Sequence, residues 1–342
     1  MDCRHILFFT SVVLMAQFMA DDTFAQSFGR NALEWSSRTI QTEADPITKK
    51  SPVITGVSIQ PQGNLIAMVG DDHIVSLYNR STRNFERHLE GHTDWVRVAK
   101  FSPDGTLLAT AGNDRRVLIW EISDRRQPRV IAQHPGAIAD LAWSHDGSQL
   151  ATAGFENLIR IYDVATGKEK LSLVASCNDN RTVVFSPDDQ WIAGGGRDGK
   201  VDVWQVRDGV SVATLPLHSQ RIRKLAITEQ KQLVSCGDDR LVRITDLNDQ
   251  QNIRTLPEHA GKLFSLCLLQ DGLLATGGSD NQIYVWSLND FEQLGTLTGH
   301  NGSITTLDFH GNTLVSGSYD TRVRVWATEK TALLDDLNTF QR

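Results

Sequence analysis

The stretch Gly91–Trp120, GHTDWVRVAKFSPDGTLLATAGNDRRVLIW, contains three short apolar runs separated by turn residues. A Gly-His pair opens it, Ser-Pro-Asp-Gly separates the first two runs, and Asn-Asp precedes the third run, which ends in Trp. Each run is rich in Val, Ile and Leu and is bounded by residues that favour turns. The stretch therefore predicts the order strand, turn, strand, turn, strand.

The last turn and strand of this stretch recur along the chain as an acidic residue followed by an alternating apolar pattern. The acid of each copy stands at Asp72, Asp114, Glu156, Asp198, Asp239, Asp280 and Asp320. Successive acids are 42, 42, 42, 41, 41 and 40 residues apart. A period of about 40–45 residues with four short strands per unit is typical of a β-propeller. Seven copies predict an all-β fold, a seven-bladed β-propeller with four antiparallel strands per blade.

From about residue 49 to its C-terminus, 49–342, the chain resembles the WD-repeat family of seven-bladed propellers. The repeats cover about residues 49–79, 91–121, 133–163, 175–205, 217–246, 258–287 and 299–327. No copy contains a Trp-Asp pair, although Tyr162-Asp163 comes close. The resemblance implies the propeller fold, but it does not imply one biochemical role, since such folds support many functions.

The resemblance also implies a hydrogen-bonded network of His, Ser or Thr, Asp and Trp inside a blade. Three repeats contain the full set, namely His92, Thr110, Asp114 and Trp120; His259, Thr276, Asp280 and Trp286; and His300, Ser316, Asp320 and Trp326. His and Ser or Thr would donate to the buried carboxylate, and the Trp N–H would bond at the far end. The first and fourth repeats depart most from the set, with Lys50, Met68 and Tyr78 in the first and Ser176 and Gly194 in the fourth.

No residue pattern indicates catalysis or a bound metal. His, Asp and Ser recur about once per repeat, so their spacing follows the architecture and not a catalytic triad. The chain has no Gly-x-Ser-x-Gly elbow, no Cys-x-x-Cys and no His-Glu-x-x-His. Gly194–Gly196 ends a strand and does not precede a helix, which excludes a phosphate loop. We predict no catalytic residue, no cofactor and no metal site; an ion at the propeller axis stays open as an alternative.

Residues 1–25 have the features of a secretory signal peptide. Arg4 supplies a positive charge, and the apolar run Ile6–Ala20 is short for a membrane span. Thr23–Ala25 offers small residues for cleavage before Gln26. We expect a secreted or periplasmic protein with no membrane span after cleavage. An uncleaved anchor or a misassigned start codon is the alternative interpretation.

Residues 26–48 form an N-terminal extension. In the resembled family, an N-terminal strand usually completes the last blade and closes the ring, and Thr39–Ile47 is the segment expected to do so here. Ala332–Leu337 is the alternative, because it follows Trp326 at the distance at which other repeats have their fourth strand. The cysteines that follow the signal, Cys177, Cys236 and Cys267, are expected to be free thiols.

A candidate binding face lies near the start of the first strand and the turn before the third strand of each repeat, where propellers of the resembled family commonly bind partners. Its residues are Trp95, Arg97, Phe155, Arg181, Arg197, Arg221, Arg223, Phe264 and Tyr319. Arg and aromatic side chains often dominate interface energetics. Four of the arginines belong to the fourth and fifth repeats of a chain whose net charge is −7. They favour an acidic partner, unless they serve only solubility.

These features favour a non-catalytic protein–protein interaction scaffold that is exported from the cytoplasm and binds a protein or peptide, with an acidic partner as one expectation. The mild net acidity argues against nucleic acid as a partner. Two alternatives stay open. One is an exported propeller enzyme of the lactonase-like or quinone-dependent type, which needs metal ligands, acids or a cofactor platform at the axis. The other is a cytosolic WD-repeat scaffold.

Overall fold

A computed structural model of the chain describes residues 35–44, 50–124, 126–257 and 259–328. These residues form seven sheets of four antiparallel strands and no α-helix. Within the same stretches, no helix is long and apolar enough to cross a membrane. The first strands of neighbouring sheets contact each other around the whole circle, so that the seventh meets the first. The predicted fold class, a seven-bladed β-propeller, is confirmed.

The strands follow one another in chain order within the blades, after an initial strand, β1 (Trp35–Gln41). Blade one comprises β2 (Ile54–Ile59), β3 (Leu65–Gly70), β4 (Val75–Asn79) and β5 (Asn84–Leu89). Blade two comprises β6 (Val96–Phe101), β7 (Leu107–Gly112), β8 (Arg116–Glu121) and β9 (Arg129–Gln133). Blade three comprises β10 (Ile138–Trp143), β11 (Gln149–Gly154), β12 (Leu158–Asp163) and β13 (Glu169–Val174). Blade four comprises β14 (Asn180–Phe185), β15 (Trp191–Gly196), β16 (Lys200–Gln205) and β17 (Ser211–Pro216).

The remaining blades repeat this order. Blade five comprises β18 (Ile222–Ile227), β19 (Gln232–Gly237), β20 (Val242–Asp246) and β21 (Asn252–Thr255). Blade six comprises β22 (Leu263–Leu268), β23 (Leu273–Gly278), β24 (Ile283–Ser287) and β25 (Gln293–Leu297), with a 3-10 turn, Gln270–Gly272, between its first two strands. Blade seven comprises β26 (Ile304–His310), β27 (Thr313–Ser318) and β28 (Arg322–Thr328), and β1 is its fourth strand.

The ring closes where the N-terminal strand β1 pairs antiparallel with β28. The segment is N-terminal, as expected, but it begins earlier than Thr39–Ile47, because the pairing runs from Trp35 to Gln41. The two ranges share Thr39–Gln41, and residues 45–47 lie outside the described residues. The apolar anchors explain this register. Trp35 and Ile40 are 2% and 3% exposed, and Trp35 packs in one cluster with Trp326. The alternative closing segment, 332–337, lies outside the described residues.

The core of the propeller lies between adjacent blades. Each apolar cluster joins one face of a blade to the facing surface of the next, as where Leu77 and Val75 of blade one meet Leu108 and Trp120 of blade two. The second strand of each blade is covered on both sides, so β3 is buried along its whole length. The sheets therefore depend on one another for burial of their apolar surfaces, which is the main driving force for folding.

A β-bulge interrupts the first strand of every blade, one residue after its start. The bulged residues, which the strand register skips, are Thr55, Arg97, Ala139, Arg181, Arg223, Phe264 and Thr305. A bulge leaves one residue unopposed in the ladder and changes the direction of its side chain. Since the first strands surround the axis, these seven half-buried residues surround one mouth of it.

Two ion pairs join blades that are not neighbours. Lys100 of blade two lies 3.2 Å from Asp308 of blade seven, and Lys224 of blade five lies 2.7 Å from Asp140 of blade three. Asp308 also accepts a 2.7 Å hydrogen bond from the backbone N–H of Ile59 in blade one. These contacts brace the inner strands, and they neutralise the acids nearest the axis.

Replacing Trp35 by Ala removes the largest apolar contact between β1 and the last blade. We expect the free energy of unfolding to fall by about 3 kcal/mol or more, because a buried Trp is lost and a cavity remains. Denaturant unfolding measures it. The control is Val174→Ala on an outer strand, where the side chain is 68% exposed. A Trp35→Ala loss as small as that of the control would mean that β1 does not hold the ring closed.

Candidate functional site

A chain of three hydrogen bonds crosses blade two. The Nε1–H of Trp120 donates to Thr110 Oγ1 at 2.8 Å, and Thr110 Oγ1 lies 2.7 Å from His92 Nε2. His92 Nδ1 lies 2.8 Å from Asp114 Oδ2, so the imidazole donates to the carboxylate. Burial acts to raise the pKa of Asp114, but the interaction with His92 and hydrogen bonds from the backbone N–H groups of Arg116 and Thr93 outweigh it and lower the pKa to about 2.

The order of these bonds differs from the prediction in one respect. The hydroxyl of Thr110 bonds to the two rings and not to the carboxylate, because it lies between Trp120 and His92. Blade seven forms the same chain, in which Ser316 Oγ lies 2.9 Å from Trp326 Nε1 and 2.8 Å from His300 Nε2. His300 Nδ1 then lies 2.8 Å from Asp320 Oδ2.

Blade six lacks the predicted network, and that prediction was wrong for His259. This ring is 4% exposed, and neither of its nitrogens has a hydrogen-bond partner among the described residues. The hydroxyl of Tyr284 donates instead to Asp280 at 3.1 Å, and the Tyr284 ring lies 4.6 Å from that of His259. Burial lowers the pKa of His259 to about 4. Trp286 still donates to Thr276, at 2.9 Å.

Blade four replaces the network with a carboxylate that the repeat pattern did not single out. Asp202 accepts a 2.7 Å bond from the backbone N–H of Ser176 and a 2.6 Å bond from the hydroxyl of Thr214. Gly194 occupies the position of Thr110 because space is short there. A Cβ at Gly194 would lie 2.0 Å from Ile159 Cδ1 of blade three.

Arginine, aspartate and phenylalanine side chains form a continuous series of contacts around one mouth of the axis, from blade two to blade six. We call it the rim cluster: Arg97, Phe155, Asp179, Arg181, Arg221, Arg223, Asp238 and Phe264. The guanidiniums of Arg97 and Arg181 lie over the Phe155 ring, 5.6 and 4.2 Å from its centre. Such contacts are worth about 0.5–2 kcal/mol each, depending on exposure.

Asp179 and Asp238 join the arginines of blades four and five. Asp179 Oδ2 accepts hydrogen bonds from Arg181 at 3.1 Å and from Arg221 at 3.3 Å. Asp238 accepts from Arg223 at 2.7 and 3.1 Å, and Arg221 Nη1 lies 3.9 Å from it. The expected concentration of positive charge is therefore partly neutralised. Neither aspartate was predicted as a site residue. Asp238 nevertheless stands just before the recurring acid of its repeat, the same position that Arg197 and Tyr319 occupy in theirs.

The rim cluster keeps an excess of positive charge, because it contains four arginines and two aspartates. Burial lowers the pKa of Arg181, Asp179 acts against it, and the nearby charges of Arg221 and Arg223 lower it further. Burial also lowers the pKa of Arg97, while Asp94 and Asp179 act to raise it. The guanidiniums therefore repel one another in a partly desolvated place, and an added negative charge would be favourable there.

The structure brings most of the predicted binding-face residues together. Arg97, Arg181 and Arg223 stand on bulges of three first strands, and Phe264 lies under the guanidinium of Arg223 at 5.2 Å. Arg197 is exposed and takes no part in these contacts. Its backbone N–H donates to the carbonyl of Asp179, which places it beside the cluster.

Three aromatic side chains, Phe155 of the rim cluster and Trp95 and Tyr319 beside it, have much of their surface open to solvent. Trp95 is 46% exposed, Phe155 39% and Tyr319 55%. Across the described residues, the other large apolar side chains with comparable exposure are aliphatic: Val130, Val174, Val210, Ile253 and Leu294. Those five belong to outer strands or to the loops beside them, so the aromatic side chains that are more than a third exposed all lie on one face.

Other chemistry-bearing groups are dispersed. In the part of the chain that the structure describes, no three His, Cys, Asp or Glu side chains are placed to hold a metal ion. The absence of a metal site remains a prediction. Cys177, Cys236 and Cys267 are free thiols, and burial raises the pKa of Cys236 to about 12.

A protein-family model matches most of the propeller. The family model described as "WD domain, G-beta repeat" matches residues 83–121, 125–163, 171–205, 209–246, 250–287 and 291–327, which together exceed half of the chain. Each matched stretch comprises the outer strand of one blade and the three inner strands of the next. The inner strands of blade one lie outside the matches. No curated protein matches the chain.

The complete network of blade two and the incomplete one of blade six allow a matched test of the network's contribution to stability. Thr110→Val leaves Trp120 N–H and His92 Nε2 without a partner, whereas Thr276→Val leaves only Trp286 N–H unpaired. Both threonines are fully buried. An unpaired buried group costs about 1–3 kcal/mol, so we expect Thr110→Val to lose about 1–2 kcal/mol more in unfolding free energy. Equal losses, measured by denaturant unfolding, would contradict the assigned bonds.

Proposed function

Because the chain belongs to the WD-repeat family, we propose that it is a non-catalytic scaffold that binds a partner protein or peptide through the rim cluster and the aromatic residues beside it. The observation that carries this proposal is the confinement of exposed aromatic surface to that face, where Trp95, Phe155 and Tyr319 all lie. Exposed apolar surface next to polar groups marks interaction sites, and aromatic and Arg side chains contribute most to binding.

The rim cluster is also organised in advance of binding. Arg223 is held by Asp238 and by contact with Phe264, and Arg97 donates through Nε to Asn113 at 2.6 Å. Long side chains that are already fixed lose less rotamer freedom when a partner arrives. The backbone that carries these arginines is also fixed, because each bulge belongs to an inner strand that neighbouring blades pack against.

The acids near the axis fit a scaffold better than the enzyme alternative. Asp140 and Asp308 are the inward acids that the repeat pattern did not reveal, and each is paired with a lysine. A metal-dependent propeller enzyme would need such carboxylates to converge with one another. Here each carboxylate is paired with a lysine of another blade, Asp140 with Lys224 and Asp308 with Lys100, which supports a bracing role.

Simultaneous replacement of Trp95 and Tyr319 by Ser removes the two most exposed of the three aromatic side chains without opening the core. We expect the amount of partner recovered with the protein, quantified by mass spectrometry, to fall about tenfold or more, because central aromatic contacts are each worth 1 kcal/mol or more. The control is Leu294→Ser, since this side chain is 41% exposed on the outer strand of blade six. Unchanged recovery with the double variant would disprove binding at this face.

Export is the second part of the proposal, and it rests on residues 1–25, which lie outside the described residues. The positive start, the short apolar run and the small residues before Gln26 support a cleaved signal peptide. Sequencing the N-terminus of the protein from its own cells is expected to give Gln26 as the first residue. A protein that still begins at Met1 and is recovered from the cytoplasm would favour the cytosolic alternative.

A further inference from the structure

We propose that the partner presents an extended segment with two features, an acidic side chain and a large apolar side chain. The acidic side chain binds the arginines of blades four and five, and the apolar one packs on the aromatic residues of blades two, three and seven. This inference rests on the proposed function, because it names the chemistry that the same face recognises.

The cationic part of the face has capacity for one more negative charge. Arg181, Arg221 and Arg223 share two carboxylates, Asp179 and Asp238, so the contacts leave one guanidinium charge in excess. Arg197 adds another charge beside them, and its side chain is exposed. A partner carboxylate would reduce the repulsion between these guanidiniums in a partly desolvated cluster, so its binding there is favourable.

Asp179 shows how such a carboxylate is held. It belongs to the connection just before β14, and its side chain is 15% exposed. Arg181 and Arg221 both donate to it, from two adjacent blades. The chain thus supplies its own acidic ligand to a pair of guanidiniums. A partner carboxylate would bind on the open side of the same arginines, and Asp179 would weaken it by like-charge repulsion.

The apolar part of the face begins beside the arginines, at Phe155, and continues around the axis mouth to blades two and seven. Trp95 belongs to blade two, Phe155 to blade three and Tyr319 to blade seven, whereas the excess arginines belong to blades four and five. Arg97 connects the two parts, since its guanidinium lies over the Phe155 ring, 5.6 Å from its centre. A segment crossing the mouth would therefore meet both parts in order.

Carboxylates fit this face better than a polyphosphate chain. Asp94, Asp179 and Asp238 lie among the arginines, and they would repel a ligand with one charge per phosphate. The chain also carries a net charge of −7, which opposes the long-range attraction that nucleic-acid binding relies on. One or two carboxylates placed between the guanidiniums avoid both penalties, since their charge is local.

The test is a selection of phage-displayed random 12-residue peptides on the protein expressed from its full-length gene. We expect the recovered peptides to be enriched in Asp or Glu together with an aromatic or large aliphatic residue at a constant spacing. Three variants separate the parts: Asp179→Asn, Arg197→Glu, and the pair Trp95→Ser with Tyr319→Ser. The control is Arg126→Glu, because Arg126 is 88% exposed on an outer loop.

The variants have opposite expected effects on the affinity of a selected peptide. Asp179→Asn is expected to raise it about fivefold, since one competing charge is removed, and a gain cannot result from misfolding. Arg197→Glu is expected to lower it about fivefold by the same reasoning. The aromatic double variant is expected to lose the apolar preference while it keeps the acidic one.

Peptides without acidic enrichment, no enriched peptide at all, or an Asp179→Asn variant that binds no better than wild type would overturn the inference. Enriched basic peptides would overturn it as well. Those outcomes leave the proposed function intact if the Trp95 and Tyr319 variant still loses its partner, since a folded domain could then occupy the face. If the Trp95 and Tyr319 variant instead recovers as much partner as the wild type, the proposed function itself is disproved.

Discussion

The burial of apolar surface between neighbouring blades is the interaction on which this structure depends. Each blade is a four-stranded sheet whose inner strands are covered on both sides, and no blade can bury both surfaces alone. The array is therefore stable only as a closed ring. The strand β1 closes the ring and packs Trp35 in one cluster with Trp326. Blade seven therefore combines the first strand and the last three strands of the described chain.

The same constraint explains why so many polar residues that suggest catalysis are structural. His92 and Asp114 resemble part of a triad, but the side chains are 0% and 1% exposed, and their bonds end at Trp120 inside the blade. The hydrogen bonds satisfy polar groups that the packing of the sheets has removed from water. Substrate has no access to them, and their repetition follows the repetition of the blades.

The sequence predicted the fold well because its signal is periodic and local. A repeated acid at intervals of 40 to 42 residues determines the number of blades, whatever the details of packing. The departures from the network came from side chains outside the four motif positions. Tyr284 displaces His259 from Asp280, and Ile159 of the neighbouring blade fills the space over Gly194. The first effect depends on how side chains of one repeat pack, and the second on a residue of another blade, so the motif residues alone reveal neither.

At the candidate site, the arginines and aromatic residues could be found from their positions relative to the turns. Their neutralisation could not, although Asp179 stands three residues after Ser176, in the slot that Trp95 and Arg221 occupy in their repeats. Which side chains pair between blades depends on how the blades assemble. Once the blades are assembled, seven bulges surround one mouth of the axis, and arginine or phenylalanine occupies four of them. The rigid ring thus leaves the turns and bulges of its faces to vary, which is where interaction specificity can arise.

The central claim is that the polar residues inside the blades stabilise the fold and that one face of the ring binds the partner. The most direct measurement is backbone hydrogen exchange of the protein with and without its partner, resolved by peptide. The account predicts that exchange slows at the rim, around Trp95, Phe155, Asp179–Arg181, Arg221–Arg223 and Tyr319, and stays unchanged at the turns of the opposite face, such as Asp104–Thr106. Slower exchange at those opposite turns, with an unchanged rim, would contradict it.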